Sequence, residues 1–303
     1  MYYPKIIFAA LAVTTAIAHP GPDQPVPHAE IQRRNELAKK CASQAANFNQ
    51  RRISKRALQK RWEGSGHNVT YEITTDAPYY ETIQNDTCVL SPEVTRGPYL
   101  DVGVLDMATC EPLPNVLLDF WHCNATGSYS SFTHLSPNLE FRELLTEKNL
   151  TDYAIGVTDL HTDDTTFLRG MWPTDENGVM EIKTIFPGFY VQRTIHIHVQ
   201  AHTDWRVQEN STIISSNTIS TGQLYFDEAV SQKIMGLEPY IFHTEIDRIT
   251  NAQDAIYQNG TKGGFNPVVS IVPADGKDIS KGMIGYITMG VDTAAIETFE
   301  YDH

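Results

Sequence analysis

Apolar and polar positions alternate with a period of two through much of the chain beyond residue 62, most regularly at residues 194–201. There Ile195, Ile197 and Val199 interleave with His196, His198 and Gln200. That period belongs to a strand with one apolar face. Shorter runs of the same kind occupy residues 100–107, 116–122, 166–171, 179–184, 213–215, 223–226, 268–272 and 284–291. Residues 100–107 and 116–122, joined by the turn sequence CEPLPN, predict a β-hairpin. Residues 137–150 read as helical or irregular, and residues 227–235 as a short amphipathic helix. Many short strands separated by Gly, Pro and Asn turns predict an all-β fold, an antiparallel β-sandwich with long loops and short helices. Internal repeats and sustained heptads are absent from the sequence.

The first 61 residues follow another pattern. Residues 1–18 read as a secretory signal: Lys5 gives a basic start, residues 6–13 an apolar run, and Ala16-Ile17-Ala18 an A-x-A cleavage site. The run is too short to span a bilayer, so a membrane anchor is not expected. Residues 19–61 form a basic, helix-favouring or irregular arm that carries pairs at Arg51-Arg52, Lys55-Arg56 and Lys60-Arg61. Such pairs resemble processing sites, so the arm reads equally as a propeptide or as a solvated basic helix. Residues 62–303 then form the β-sandwich domain.

Charge is divided along the same boundary. The chain carries a formal net charge of -14, yet residues 62–303 hold 34 of its 37 acidic side chains and only 12 of its 23 basic ones. An acidic body of this kind repels nucleic acid and anionic lipid, so neither is an expected partner. Sequons begin at Asn68, Asn85, Asn124, Asn149, Asn210 and Asn259, which together with the leader predict an exported glycoprotein. In that compartment Cys41, Cys88, Cys110 and Cys123 are expected to form disulfides, with three pairings open. Removal of the arm after Arg61 would take Cys41 away and leave an odd number, which favours retention of the arm or a free buried thiol.

The polar face of residues 194–201 carries the candidate chemistry. Two imidazoles two residues apart on one strand face can converge on one metal ion. His202 lies on the same face by simple alternation and would complete a zinc site. Pro187-Gly188 sets a turn just before Tyr190, which could fold back over the histidines. By itself a His-x-His pair is more often structural than metal-binding, and an isolated tyrosine is more often a satisfied core residue.

Longer motifs sharpen this reading. Asp119 to Tyr129 fit D-x-W-(H/Q)-x-N-x-x-G-x-Y, and Thr174, Asp175 and Gly178 fit T-D-x-x-G. Thr184, Pro187 and Tyr190 are followed by R-x-x-H-x-H at Arg193, His196 and His198. Thr221, Gln223, Leu224, Tyr225 and Phe226 fit T-x-Q-(I/L)-Y-F, and Cys88, Pro92, Glu93, Gly97, Pro98 and Tyr99 fit an earlier segment. In these motifs the chain resembles the intradiol ring-cleavage dioxygenases over roughly residues 86–290, and its leader and sequons resemble the secreted fungal branch. The resemblance implies Fe(III) held by Tyr129, Tyr190, His196 and His198, with Arg193 and Gln223 beside the substrate. Tyr190 would be the ligand that leaves the iron to take a substrate proton. It also implies a catechol or hydroxylated benzene substrate, cleaved by O2 between its two hydroxyl-bearing carbons to a muconate-type diacid. The basic arm does not resemble the helical dimerisation region of bacterial relatives, and the oligomeric state is left open. The competing readings are a zinc hydrolase built on His196, His198 and His202, and a non-catalytic aromatic- or glycan-binding sandwich. An extradiol oxygenase fits poorly, because that chemistry uses two histidines and one carboxylate on Fe(II).

Overall fold

A computed structural model describes residues 28–63, 99–147, 160–209, 212–262 and 265–294. The leader and the sequons at Asn68, Asn85, Asn149 and Asn210 lie outside the described residues, as does Cys88. Eight strands form two four-stranded sheets. One sheet runs β4 (Val179–Lys183), β1 (Tyr99–Asp106), β8 (Met283–Val291), β7 (Ser270–Pro273). The other runs β3 (Arg169–Pro173), β2 (Leu117–Trp121), β5 (His196–Val207), β6 (Ile213–Tyr225). All neighbouring pairs are antiparallel except β1 and β8, which are parallel. The sandwich expected from the pattern is therefore present, with one parallel pair at the centre of the first sheet.

Leu100, Val102 and Val104 from β1 meet Leu118 and Phe120 from β2 and Ile197, Val199 and Ala201 from β5 in the shared core. Each of these is less than 5 % exposed, so the alternating apolar residues supply most of the driving force for closing the two layers.

The hairpin expected between residues 100–107 and 116–122 does not form. β1 and β2 lie in different sheets. The connection starts like a hairpin, with Leu105 bridged to Pro112 and Leu113 N–H donating to Val104 O (2.9 Å). Pro112 and Pro114 have no N–H with which to extend that ladder. Asn115 then adopts a left-handed conformation (φ 59°) and donates its N–H to Thr174 O, which carries the chain across to the second sheet. The T-D-x-x-G segment is the counterpart of this crossing. Thr174 Oγ1 accepts from Val116 N–H and donates to Leu113 O, and a side chain at Gly178 would press on the backbone of Leu113.

The other elements match the pattern more closely. β5 and β6 are longer than alternation showed. A bulge between Ala201 and His202 interrupts the register, and β6 is a polar edge strand. The helix α3 (Glu228–Met235) starts where expected, capped by Asp227, whose side chain accepts from Ala229 N–H. A shorter helix, α2 (Phe141–Glu147), lies within residues 137–150.

The arm forms one long helix, α1 (His28–Glu63). It is not free in solution. Cys41 is disulfide-bonded to Cys110, and Arg52 is paired with Asp101 at 2.9 Å. This explains why β1 is buried on both faces: Asp101 and Gly103 point away from the sandwich core, toward α1. Cys123 is a free, buried thiol.

Candidate metal centre

Strand register assembles the first half of the site. Trp121 of β2 lies opposite both Arg169 of β3 and His198 of β5, and His198 lies opposite Gln223 of β6. Residues directly opposite share a face, so these four form a row across the sheet. The guanidinium of Arg169 sits 5.5 Å from the Trp121 ring, and Trp121 lies 5.9 Å from the His198 ring. One step along, His196 lies opposite Tyr225.

Two loops bring the tyrosines to this row. In the first, Asn124 folds residues 124–128 into a tight turn: its side-chain oxygen accepts from Thr126 N–H and Ser128 N–H, both at 3.0 Å. This presents Tyr129, whose ring packs 4.8 Å from Trp121 and 5.8 Å from His198. The second loop carries Tyr190. The two are fastened by the Asn124 carbonyl, which accepts from Gly127 N–H and Gly188 N–H, both at 3.1 Å. Gly127 has φ 87°, and a Cβ there would stand 2.1 Å from Phe189 O; a Cβ on Gly188 would stand 2.5 Å from Asn124 O. Only glycine permits this approach. Below the loops the buried His122 donates from Nδ1 to Cys123 O (2.8 Å) and accepts at Nε2 from Thr184 Oγ1 (2.7 Å). Burial holds its pKa down to about 4, so it is neutral.

The four expected ligand residues therefore converge. His196 Nε2 is 3.2 Å from His198 Nε2 and 3.4 Å from Tyr190 Oη. The Tyr129 and Tyr190 rings are 5.6 Å apart. His196 Nδ1 donates to Thr194 O (2.7 Å), which fixes the tautomer and leaves a lone pair on Nε2. Tyr129 Oη is buried and has no hydrogen-bond partner. Its pKa is raised well above the ordinary phenol value, by burial first and by the neighbouring Tyr190 second. Tyr190 is pushed up to about 12 by burial, with Arg193 working in the opposite direction.

An orphaned buried phenol beside an imidazole lone pair is costly unless a cation completes the cluster. Two phenol oxygens and two imidazole nitrogens suit a hard trivalent ion such as Fe(III), because phenolate is a hard anionic donor. The donor set fits. The zinc arrangement with His202 does not. Six residues of strand separate His196 from His202, roughly 20 Å at about 3.3 Å per residue. The bulge turns His202 toward Thr218, whose Oγ1 lies 3.2 Å from His202 Nδ1. Among the described residues no three His, Cys, Asp or Glu side chains are grouped to hold a metal.

Arg193 and Gln223 also lie at the centre. Arg193 is 2 % exposed and uses all three nitrogens: Nη1 donates to Tyr190 Oη (3.2 Å), Nη2 to Gln223 Oε1 (2.5 Å), and Nε to Asp254 Oδ2 (2.8 Å). Tyr225 Oη also donates to Gln223 Oε1 (2.7 Å). Burial opposes the charge on Arg193, but Tyr190 and Asp254 beside it more than offset this and raise its pKa. Asp254, Trp121 and Tyr225 were not singled out from the sequence as site residues. Trp121 and Tyr225 sit inside quoted motifs. Asp254 carries no signal beyond that of a helix cap, since it starts α4 (Ala255–Gly260) by accepting from Ile256 and Tyr257 N–H.

No protein-family model matches the chain and no curated protein matches it. Solved structures do. An intradiol ring-cleavage dioxygenase from Tetranychus urticae superposes with a TM-score of 0.53 at 23% identity, covering 73% of this chain and 94% of that one. A second dioxygenase structure gives a TM-score of 0.50 at 24% identity over the same shares. The likeness is one of fold: this sandwich is the architecture of intradiol ring-cleavage dioxygenases.

Proposed function

We propose that this chain is a secreted, glycosylated intradiol ring-cleavage dioxygenase of the non-heme Fe(III) type, acting on catechols or hydroxylated benzenes with O2. The observation that carries the reading is the buried, unpartnered Tyr129 Oη beside Tyr190 and the paired Nε2 atoms of His196 and His198. Six ordered motifs and the sandwich fold support it. The apolar leader, the sequons and the Cys41–Cys110 disulfide support export to an oxidising compartment.

Tyr129, Tyr190, His196 and His198 would hold the iron, which when bound supplies Lewis acidity and one-electron exchange with the aromatic substrate. The remaining work belongs to the chain. His196 is held in one tautomer by Thr194 O, so its ligating atom needs no rearrangement. Tyr190 Oη lies within hydrogen-bond reach of Arg193, whose fixed cation stabilises the phenolate and would favour an ionised diol beside it. Tyr190 Oη is also the group that would be placed to accept a substrate hydroxyl proton. Trp121 and Tyr129 supply aromatic walls against which a planar ring can pack. Gln223, its Oε1 fixed by Arg193 and Tyr225, is a further polar group beside the ring oxygens.

Metal analysis of the purified protein, with oxygen uptake over catechol, protocatechuate and hydroxyquinol, tests the reading. The expected result is about one iron per chain, a red colour from tyrosinate-to-iron charge transfer, and uptake of one O2 per diol consumed. His196→Ala and His198→Ala should each lose iron and colour together. A colourless protein that takes up no iron, or one in which both variants keep it, would overturn the ligand assignment.

A further inference from the structure

The segment from Cys41 to Arg52 is built into the first sheet in a way that decides what happens when its basic pairs are cut. Arg52 is 8 % exposed although it belongs to a surface helix. Its Nη1 is 2.9 Å from Asp101 Oδ1 on β1, and its Nη2 donates to Ile287 O (2.9 Å) and Thr288 Oγ1 (3.1 Å) on β8. Phe48, 6 % exposed, lies under the same guanidinium at 4.9 Å. Asn49 bonds to both Arg52 and Thr288. Gly103 provides the seat: a Cβ on it would stand 2.2 Å from Phe48 Cε1 and 2.3 Å from Arg52 Nη1. A glycine inside a central strand weakens the strand unless another group must approach closely, and here that group is the arm. Eleven residues earlier the Cys41–Cys110 bond ties the same helix to the loop after β1, and Lys40 Nζ donates to Ala108 O (2.6 Å).

We propose that this segment is a permanent strap on the outer face of the sheet. Processing at the basic pairs then yields two chains joined by Cys41–Cys110 rather than a released propeptide. A dibasic-specific endoprotease must take the second basic residue of a pair into its own acidic pocket. Arg52 is already committed to Asp101, so Arg51-Arg52 is shielded. Arg51 and Lys55, the first residues of their pairs, are both exposed, so the shielding of the first pair lies in Arg52. Cleavage after Arg56 or Arg61 adds water across one peptide bond, leaving a carboxylate on the arm and an amine on the domain. The strap and its disulfide stay in place. Cutting at Arg33-Arg34 or Lys39-Lys40 only trims residues before Cys41.

The test treats the full secreted chain with a dibasic-specific serine endoprotease and reads the products by mass, with and without reductant. Cleavage after Arg56 or Arg61 is expected to outrun cleavage after Arg52 by about 100-fold, since the latter needs a buried ion pair to open. One species is expected without reductant and two with it. Asp101→Asn and Gly103→Val each unseat Arg52 and should raise cleavage after Arg52 at least about 10-fold. Release of the Cys41 fragment without reductant, or wild-type cleavage after Arg52 as fast as after Arg56, would overturn the proposal. So would failure of a folded Asp101→Asn protein to gain cleavage after Arg52.

Discussion

Asp254 is completely buried, and its two carboxylate oxygens receive four donors. Arg193 Nε and Thr194 N–H reach Oδ2 at 2.8 and 2.9 Å, while Ile256 and Tyr257 N–H reach Oδ1 at 2.8 and 3.0 Å. Asp254→Ala would leave the Arg193 guanidinium 2 % exposed with its carboxylate partner gone. Breaking a buried pair from one side costs about 3–5 kcal/mol, and loss of the cap on α4 adds about 1 kcal/mol. The expected destabilisation is therefore about 4–6 kcal/mol, measured by urea unfolding of the metal-free protein. A double-mutant cycle isolates the electrostatic part. With Arg193→Met as background no buried cation is left for the loss of Asp254 to orphan, so Asp254→Ala should cost at most about 1 kcal/mol there, giving a coupling of about 3 kcal/mol or more. The same variant should lower kcat in the loaded protein, because Arg193 loses the anchor that holds Nη1 at Tyr190. Additive single-variant costs, or an Asp254→Ala cost below about 1.5 kcal/mol, would refute the claim that this carboxylate holds Arg193 in place.

Three further outcomes follow from the geometry. His122 is buried neutral with its pKa lowered to about 4, so below its unfolded value near 6.5 the unfolded chain binds the extra proton first. Stability contributed by the neutral ring is complete at pH 7, declines as pH falls through 6.5 and goes on declining to 4, by about 2 kcal/mol at pH 5. His122→Gln should remove that slope from urea midpoints measured between pH 7 and 5, and an unchanged slope would exclude His122 as its source. Gly127→Ala forces a Cβ against Phe189 O at a left-handed backbone position; it should cost about 2 kcal/mol and lower iron content, although residue 127 donates no ligand, whereas normal iron loading in this variant would show that the loops are not fastened there. Replacing Cys41 and Cys110 with serine opens a crosslink across 69 residues and should cost about 4 kcal/mol on the chain-entropy account. No shift in denaturant midpoint would mean that the arm contributes nothing to the fold.

The parts legible in the sequence were those governed by local periodicity. Ile195, Ile197 and Val199 face the core as their spacing requires, and the same alternation turns His196 and His198 to the other side of β5. The family resemblance, not periodicity, is what pointed to Tyr129 beside those histidines, and the turn at Pro187-Gly188 pointed to Tyr190; each tyrosine ends a short loop that packs it there. Three features were hidden for identifiable physical reasons. The chain passes from β1 to the other sheet at Asn115, where a single left-handed residue decides between a hairpin and a crossing. β6 reads as two fragments because an edge strand needs few apolar residues. His202 keeps nominal alternation with His198, but the bulge at Ala201 breaks the register between them.

Asp254 shows most clearly where such reading stops. It lies 61 residues from Arg193, and locally it is only the cap of α4. Nothing short-range distinguishes it from Asp227, which caps α3 in the same manner. The difference is tertiary: one cap faces solvent, while the other is buried against a guanidinium that touches Tyr190 and Gln223. The same logic separates the motif residues from one another. Thr174, Gly178, Asn124, Gly127 and Thr184 spend their side chains, or the lack of one, on bending and fastening loops. The rings of Tyr129, Tyr190, His196 and His198 are left packed against one another. Because the fastening residues fix the separation of the donors, substitution at either kind of position should alter metal binding. Substitution at the fastening positions should also lower the stability of the metal-free protein, whereas removing Tyr129 Oη from it relieves an unpartnered buried group. Tyr129→Phe should therefore abolish iron binding while leaving metal-free stability unchanged or raised, and a marked loss of that stability would show that Tyr129 serves the fold rather than the metal.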